Sequence, residues 1–156
     1  MRAQNEKSVT DEVPAELRPI ELLTENGFSI LRRWEIDRVP PPPAAGSYPF
    51  LVRDPHNSDQ EVDVEIADYV LEQLAIRDRI RILLCSSFWI CCAERHLAAY
   101  LWEKDECPPG NKLVVQLLDP DEVILAARWE QAGESSRSKQ EQRTLDLGGL
   151  TRWLTR

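Results

Sequence analysis

The chain has 156 residues, of which 42% are hydrophobic and 29% charged, enough apolar side chain for the core of one ordinary domain with polar extensions. Its formal net charge of −8 and pI near 4.8 produce a field that repels phosphate backbones, which argues against nucleic acid as a partner. The beginning lacks the apolar segment of a secretion signal, and the longest apolar run, Ile82 to Ala93, falls short of the ~20 residues that span a bilayer, so the expectation is a cytoplasmic protein without a membrane partner.

Residues 1–16 are polar and follow neither apolar period, which predicts a mobile N-terminal segment. A single domain is expected over 17–132. It opens with a hairpin: Ile20 to Thr24, then Glu25, Asn26 and Gly27, then Phe28 to Ile36. Asn26-Gly27 suits a type I′ turn, and the register that follows sets Leu23 opposite Ile30, Leu22 opposite Leu31 and Glu21 opposite Arg32. Phe28, Ile30 and Trp34 share the face expected to meet the core. Pro40 to Pro43 cannot continue a sheet, because proline gives the ladder no amide, and a polyproline II connection is expected there.

Tyr48 to Arg53 reads as a short strand, and Asp54 to Ser58 as a turn cluster. Glu61 to Ile66 alternates acid with Val62, Val64 and Ile66, as a half-buried strand does, and a helix is expected from about Ala67 to Arg77. Arg79 to Cys85 alternates before turning wholly apolar, the pattern of a strand that enters the centre of a sheet. Ser87 is placed to cap a helix that begins near Phe88. On that helix Ile90, Ala93, Leu97, Tyr100 and Leu101 form one core-facing stripe with Trp89 at its edge. Pro108, Pro109 and Gly110 end it by Cys107.

Leu113 to Leu118 is a further strand candidate. Asp119, Pro120 and Glu122 then supply an N-cap acid, a proline at the first helical position and a glutamate at the third, which predicts a helix to about Ala132 with Gly133 after it. Apolar residues Val123, Ile124, Leu125 and Trp129 surround much of this helix, so it is expected to pack on more than one neighbour. Residues 133–143 read as a polar linker. Residues 144–156 return apolar character at Leu145, Leu147, Leu150, Trp153 and Leu154, and the i, i+3, i+4 spacing of Leu150, Trp153 and Leu154 describes an amphipathic turn too short to be stable alone. This C-terminal peptide must dock, either on its own domain or in a partner's groove, and Leu147, Leu150, Trp153 and Leu154 are the expected partner-binding residues.

The fold class expected from these elements is α+β: a small antiparallel or mixed sheet opened by a β-hairpin and packed against two or three helices. Four cysteines, two of them adjacent, do not form a secreted disulfide framework, and reduced thiols follow. No P-loop, dinucleotide fingerprint or paired CxxC occurs, so neither a cofactor nor a metal is expected. Cys92, His96 and Glu103 lie along one line of the central helix, with Cys91 near its N-terminus and Arg95 one turn on. That line is the one place for a nucleophile and base or a redox-active thiol. The leading expectation is a non-enzymatic protein-interaction or regulatory module; the alternative is a thiol-dependent enzyme or redox sensor using Cys91 or Cys92 with His96.

Overall fold

The computed structural model describes residues 19–40 and 46–133. The N-terminal segment, most of the proline run, the linker beyond 133 and Leu147, Leu150, Trp153 and Leu154 lie outside the described residues.

Five strands form a mixed sheet in the order β1 (Glu21–Leu23), β2 (Ser29–Arg32), β3 (Ser47–Arg53), β4 (Asp59–Ile66) and β5 (Lys112–Val115). The first four are antiparallel neighbours; β5 runs parallel to β4. A parallel pair needs a long crossover, and α2 (Asp68–Arg77) and α3 (Ser87–Lys104) lie within it. A single helical turn, α1 (Arg33–Ile36), follows β2, and a last helix, α4, covers residues 120–133. The chain is therefore α+β.

Alternation in β3 and β4 sends Tyr48, Phe50, Val52, Val62, Val64 and Ile66 to one face, where they are buried. Glu61 and Asp63 remain in solvent on the other. Over the buried face lies α3, with Ile90, Ala93, Leu97 and Leu101 turned inward together with Trp89. The expected stripe of α3 is thus the core side of the fold. Trp34 is buried as well and meets Phe50 edge-on at 5.5 Å, although it sits on α1 rather than on the strand expected to run to Ile36.

The first hairpin differs from expectation by one residue of register. Its pairs are Glu21 with Leu31, Leu22 with Ile30 and Leu23 with Ser29. The cause is the turn: the Gly27 amide donates to the Thr24 carbonyl at 3.0 Å and the Thr24 amide to Phe28 at 2.9 Å, and only Gly27, at φ 92°, leaves the right-handed half of backbone space. This is a three-residue type I turn closed by a bulge, not a two-residue I′ turn. The β3–β4 hairpin repeats it, with the Asn57 amide donating to Asp54 at 3.0 Å, the Asp54 amide to Ser58 at 2.9 Å, and Asn57 at φ 63°.

Residues 79–85 do not form the expected strand. Arg79 has φ 54°, β5 already occupies the free edge of β4, and side chains take the segment's carbonyls: Tyr48 donates its hydroxyl to Leu84, and Trp89 Nε1 donates to Ile82 at 3.2 Å. The apolar run is held as an irregular layer, with Ile80 buried and Ile82 and Leu84 packed against the core. Helix α3 begins one residue earlier than expected, with Ser86 rather than Ser87 at its N-cap and no side-chain capping bond there. Helix α4 continues through Gly133 and presents Val123, Ala126 and Ala127 inward while Ile124 and Leu125 stay exposed, so the described residues pack it through one side.

The two turns generate a paired prediction. Alanine pays a left-handed penalty of about 1–2 kcal/mol, so Gly27→Ala should lower the urea-unfolding free energy by that amount, whereas Asn57→Gly should change it by no more than about 0.5 kcal/mol.

Candidate functional site

Of the groups that sequence spacing placed on one line of α3, Cys92 and His96 both lie beside Glu122, while Glu103 stands apart. Glu103 lies exposed near the end of the helix, Cys91 is exposed, Cys92 is buried and His96 is partly covered. The carboxylate that meets His96 comes from α4. Glu122 is 2% exposed, and its Oε2 lies 3.0 Å from His96 Nε2 while accepting the Asp119 amide at 3.0 Å.

Local sequence explains the placement. Asp119 caps α4 with its carbonyl accepting the amides of Glu122 and Val123 at 3.0 and 3.1 Å, and Glu122 returns a bond from its side chain to the Asp119 amide, as the third residue of a capping box does. One carboxylate oxygen therefore closes the start of α4 and joins it to α3. Arg95 adds a looser contact, with Nη2 3.7 Å from Asp119 Oδ2. Oε1 of Glu122 is buried without a hydrogen-bond partner among the described residues.

The electrostatics follow from this crowding. The hydrogen bond to Glu122 raises His96 above its ordinary 6.5; burial and Arg95 oppose the shift, and the charges of Glu122 and Asp119 add to it. Burial by itself pushes Glu122 upward, but the bonds from His96 and the Asp119 amide and the charges of His96 and Arg95 bring it below its ordinary 4.5. Burial, then the charge and hydrogen bonding of Glu122, push the Cys92 thiol up to about 12. Cys92 thus carries its proton at neutral pH, and the acid beside it opposes thiolate formation. Cys91 lies on the outer surface, where Arg32 Nη2 comes within 4.0 Å of its sulfur while Arg32 Nε pairs with Glu94 at 2.8 Å. Arg95, the cation expected to serve Cys91, pairs with Asp119 instead.

A second feature lies on the α3 face beside β1. Leu22, Leu23, Thr24 and Glu25 on one side and Arg95, Ala98, Ala99 and Trp102 on the other line a shallow groove of about 430 Å³. The four α3 residues recur at i, i+3, i+4 and i+7 and so share one face. On the α3 side the small Ala98, partly buried, and Ala99, exposed, lie between Arg95 and Trp102, and Trp102 and Leu23 stand 52% and 69% exposed. Asn26 secures the rim, donating through Nδ2 to the Leu101 carbonyl at 2.9 Å and to Asp105 Oδ1 at 3.0 Å. A smaller pocket of about 240 Å³ is lined by Asp54, His56, Asp105, Glu106 and Cys107 among others, yet no group of three or more His, Cys, Asp or Glu among the described residues is placed to hold a metal ion.

Sequence reading singled out His96 but not its partner. Glu122 carried a signal as a capping residue, and the missing step was that a buried cap acid has a side-chain donor to meet. Trp102 and Leu23 carried no comparable signal, because no local pattern in either segment shows that α3 and β1 lie side by side. The chain matches no protein-family model, no curated protein and no solved structure.

The His96–Glu122 bridge predicts a pH dependence. His96 is raised, so its contribution to stability is complete below its unfolded value of 6.5 and is lost as pH rises through the folded one. Glu122 is lowered, so its contribution is present above 4.5 and is lost as pH falls through the folded value. The advantage of the native chain over Glu122→Gln, measured by urea unfolding, should be largest between pH 4.5 and 6.5, at about 1–2 kcal/mol, and shrink on both sides. A constant difference from pH 4 to 9 contradicts the ion pair.

Proposed function

We propose that this chain is a non-enzymatic protein-interaction module whose receptor surface is the groove between β1 and α3. The observation that carries this reading is Trp102, half exposed in a groove that it lines with Leu23 and the small residues Ala98 and Ala99. A large aromatic left in solvent at a concave surface gains by receiving an apolar side chain, and tryptophan is enriched among the residues that dominate binding energy. Glu25 and Arg95 provide charges of opposite sign along the groove, suited to orienting a peptide. The chemistry around Cys92 supports the same side of the choice, since a thiol pushed up to about 12 is a poor nucleophile and its carboxylate neighbour holds the histidine. A cytoplasmic location and protein partners belong to this reading.

The second reading, a thiol enzyme or redox sensor, keeps one specific observation in its favour: Cys91 is exposed with the Arg32 guanidinium within 4.0 Å of its sulfur. Alkylation of the native protein separates the readings. Rapid modification of Cys91 at neutral pH, well ahead of a free-cysteine standard, favours the sensor; modification at the rate of the standard removes it.

Peptides selected from a displayed library against the native chain test the groove. The selected sequences should carry paired apolar anchors. Trp102→Ala should weaken their binding by about 2 kcal/mol, roughly thirtyfold, and Ala99→Arg, at an exposed position of the groove, should abolish it, with both variants keeping the native circular dichroism and a cooperative urea transition. Failure to enrich any peptide, or binding indifferent to both substitutions, overturns the proposal.

A further inference from the structure

We infer that the groove between β1 and α3 is the intramolecular docking site of the chain's own residues 144–156, so that an outside peptide binds by displacing this segment. The inference rests on the groove reading above and names the groove's resident occupant.

Geometry makes the return possible. Helix α4 runs antiparallel to α3: Asp119 meets Arg95, Glu122 meets His96, and Trp129 meets Phe88 with ring centroids 6.3 Å apart. The last described residue, 133, therefore lies beyond the Phe88 end of α3. From Phe88 to Trp102, at the far end of the groove, α3 rises roughly 21 Å. Residues 134–149 precede Leu150 and extend to roughly 50 Å, ample for the distance and for a turn. A short tether of this kind holds the segment at an effective concentration in the millimolar range, so even weak affinity fills the groove.

Chemistry selects the groove over the exposed apolar side of α4. Ile124, Leu125 and Trp129 project from a single helix and offer a convex ridge, whereas Ala98 and Ala99 leave a depression that a leucine or tryptophan fills. Leu150, Trp153 and Leu154, spaced i, i+3 and i+4 in sequence, provide such anchors. Charge agrees: residues 144–156 hold Arg152 and Arg156 against Asp146, a net +1, so the other residues carry the remaining −9 of the chain's −8. Glu25 in the groove, with Asp105 near its rim, can receive an arginine, and Arg95 an aspartate.

The test uses the full chain with p-benzoylphenylalanine in place of Trp153. On illumination at high dilution, the expected product is an intramolecular cross-link to peptides containing Leu22 to Glu25 or Arg95 to Trp102, and Ala99→Arg, at an exposed position of the groove, in the same chain should remove it while the fold stays native by circular dichroism. Cross-links to α4, cross-links only between two chains, or none at all overturn the inference. The library-selected peptides give the second arm: Leu150→Asp combined with Trp153→Asp should tighten their binding by about tenfold or more. Equal affinity for native chain and tail variant overturns self-occupancy while leaving the receptor groove standing; loss of all peptide binding with the cross-link intact overturns the receptor reading and leaves the docking.

Discussion

One buried carboxylate ties the helical layer together. Oε2 of Glu122 satisfies the Asp119 amide that begins α4 and meets the imidazole of His96 on α3, so the start of one helix and the middle of another depend on the same atom. A buried acid is costly unless its neighbours compensate for lost water, and here two donors and the nearby cations His96 and Arg95 do so. Without it, α4 would rest on Val123, Ala126 and Ala127, the contact of Trp129 with Phe88 and the bond from the Arg81 amide to Glu130, with nothing fixing its first turn to α3 but the loose Arg95–Asp119 contact.

The consequence reaches the surface. Arg95 makes a loose, exposed contact with Asp119 at the N-cap of α4 and also lines the groove beside β1, so the start of α4 and the groove share one side chain. The opposite end is held from the hairpin, where Asn26 bonds the Leu101 carbonyl and Asp105 beyond the helix end. Asp105 itself takes φ 54°, with its amide donating to the Leu101 carbonyl at 3.0 Å. The Asn26 bonds thus tie the hairpin to the C-terminal end of α3, and a receptor surface needs such preorganisation to avoid an ordering cost on binding.

Much of the fold was legible where a pattern is local. The inward stripe of α3, the alternation of β4, the limits of α2 and the capping box of α4 all come from spacing that one element expresses by itself. The register of the first hairpin was not, because Asn26-Gly27 fits two turn types and the choice of a bulged three-residue turn shifts each pair by one. The apolar run at 79–85 read as a strand because periodicity cannot distinguish a buried strand from an irregular layer whose carbonyls are taken by Tyr48 and Trp89. At the candidate site the same division holds. His96 was visible, and so was Glu122, but as a local cap; their meeting is a tertiary event. The groove, built from residues 70 or more positions apart, had no sequence signal at all.

The central claim is that Glu122 and His96 act as one unit in joining α4 to α3. A double-mutant cycle of His96→Ala and Glu122→Ala, followed by urea unfolding near pH 6, tests it most directly. Coupling of about 2 kcal/mol is expected for a charge-assisted bond between partly buried groups. Energies that add to within about 0.3 kcal/mol would show two independent side chains and contradict the account.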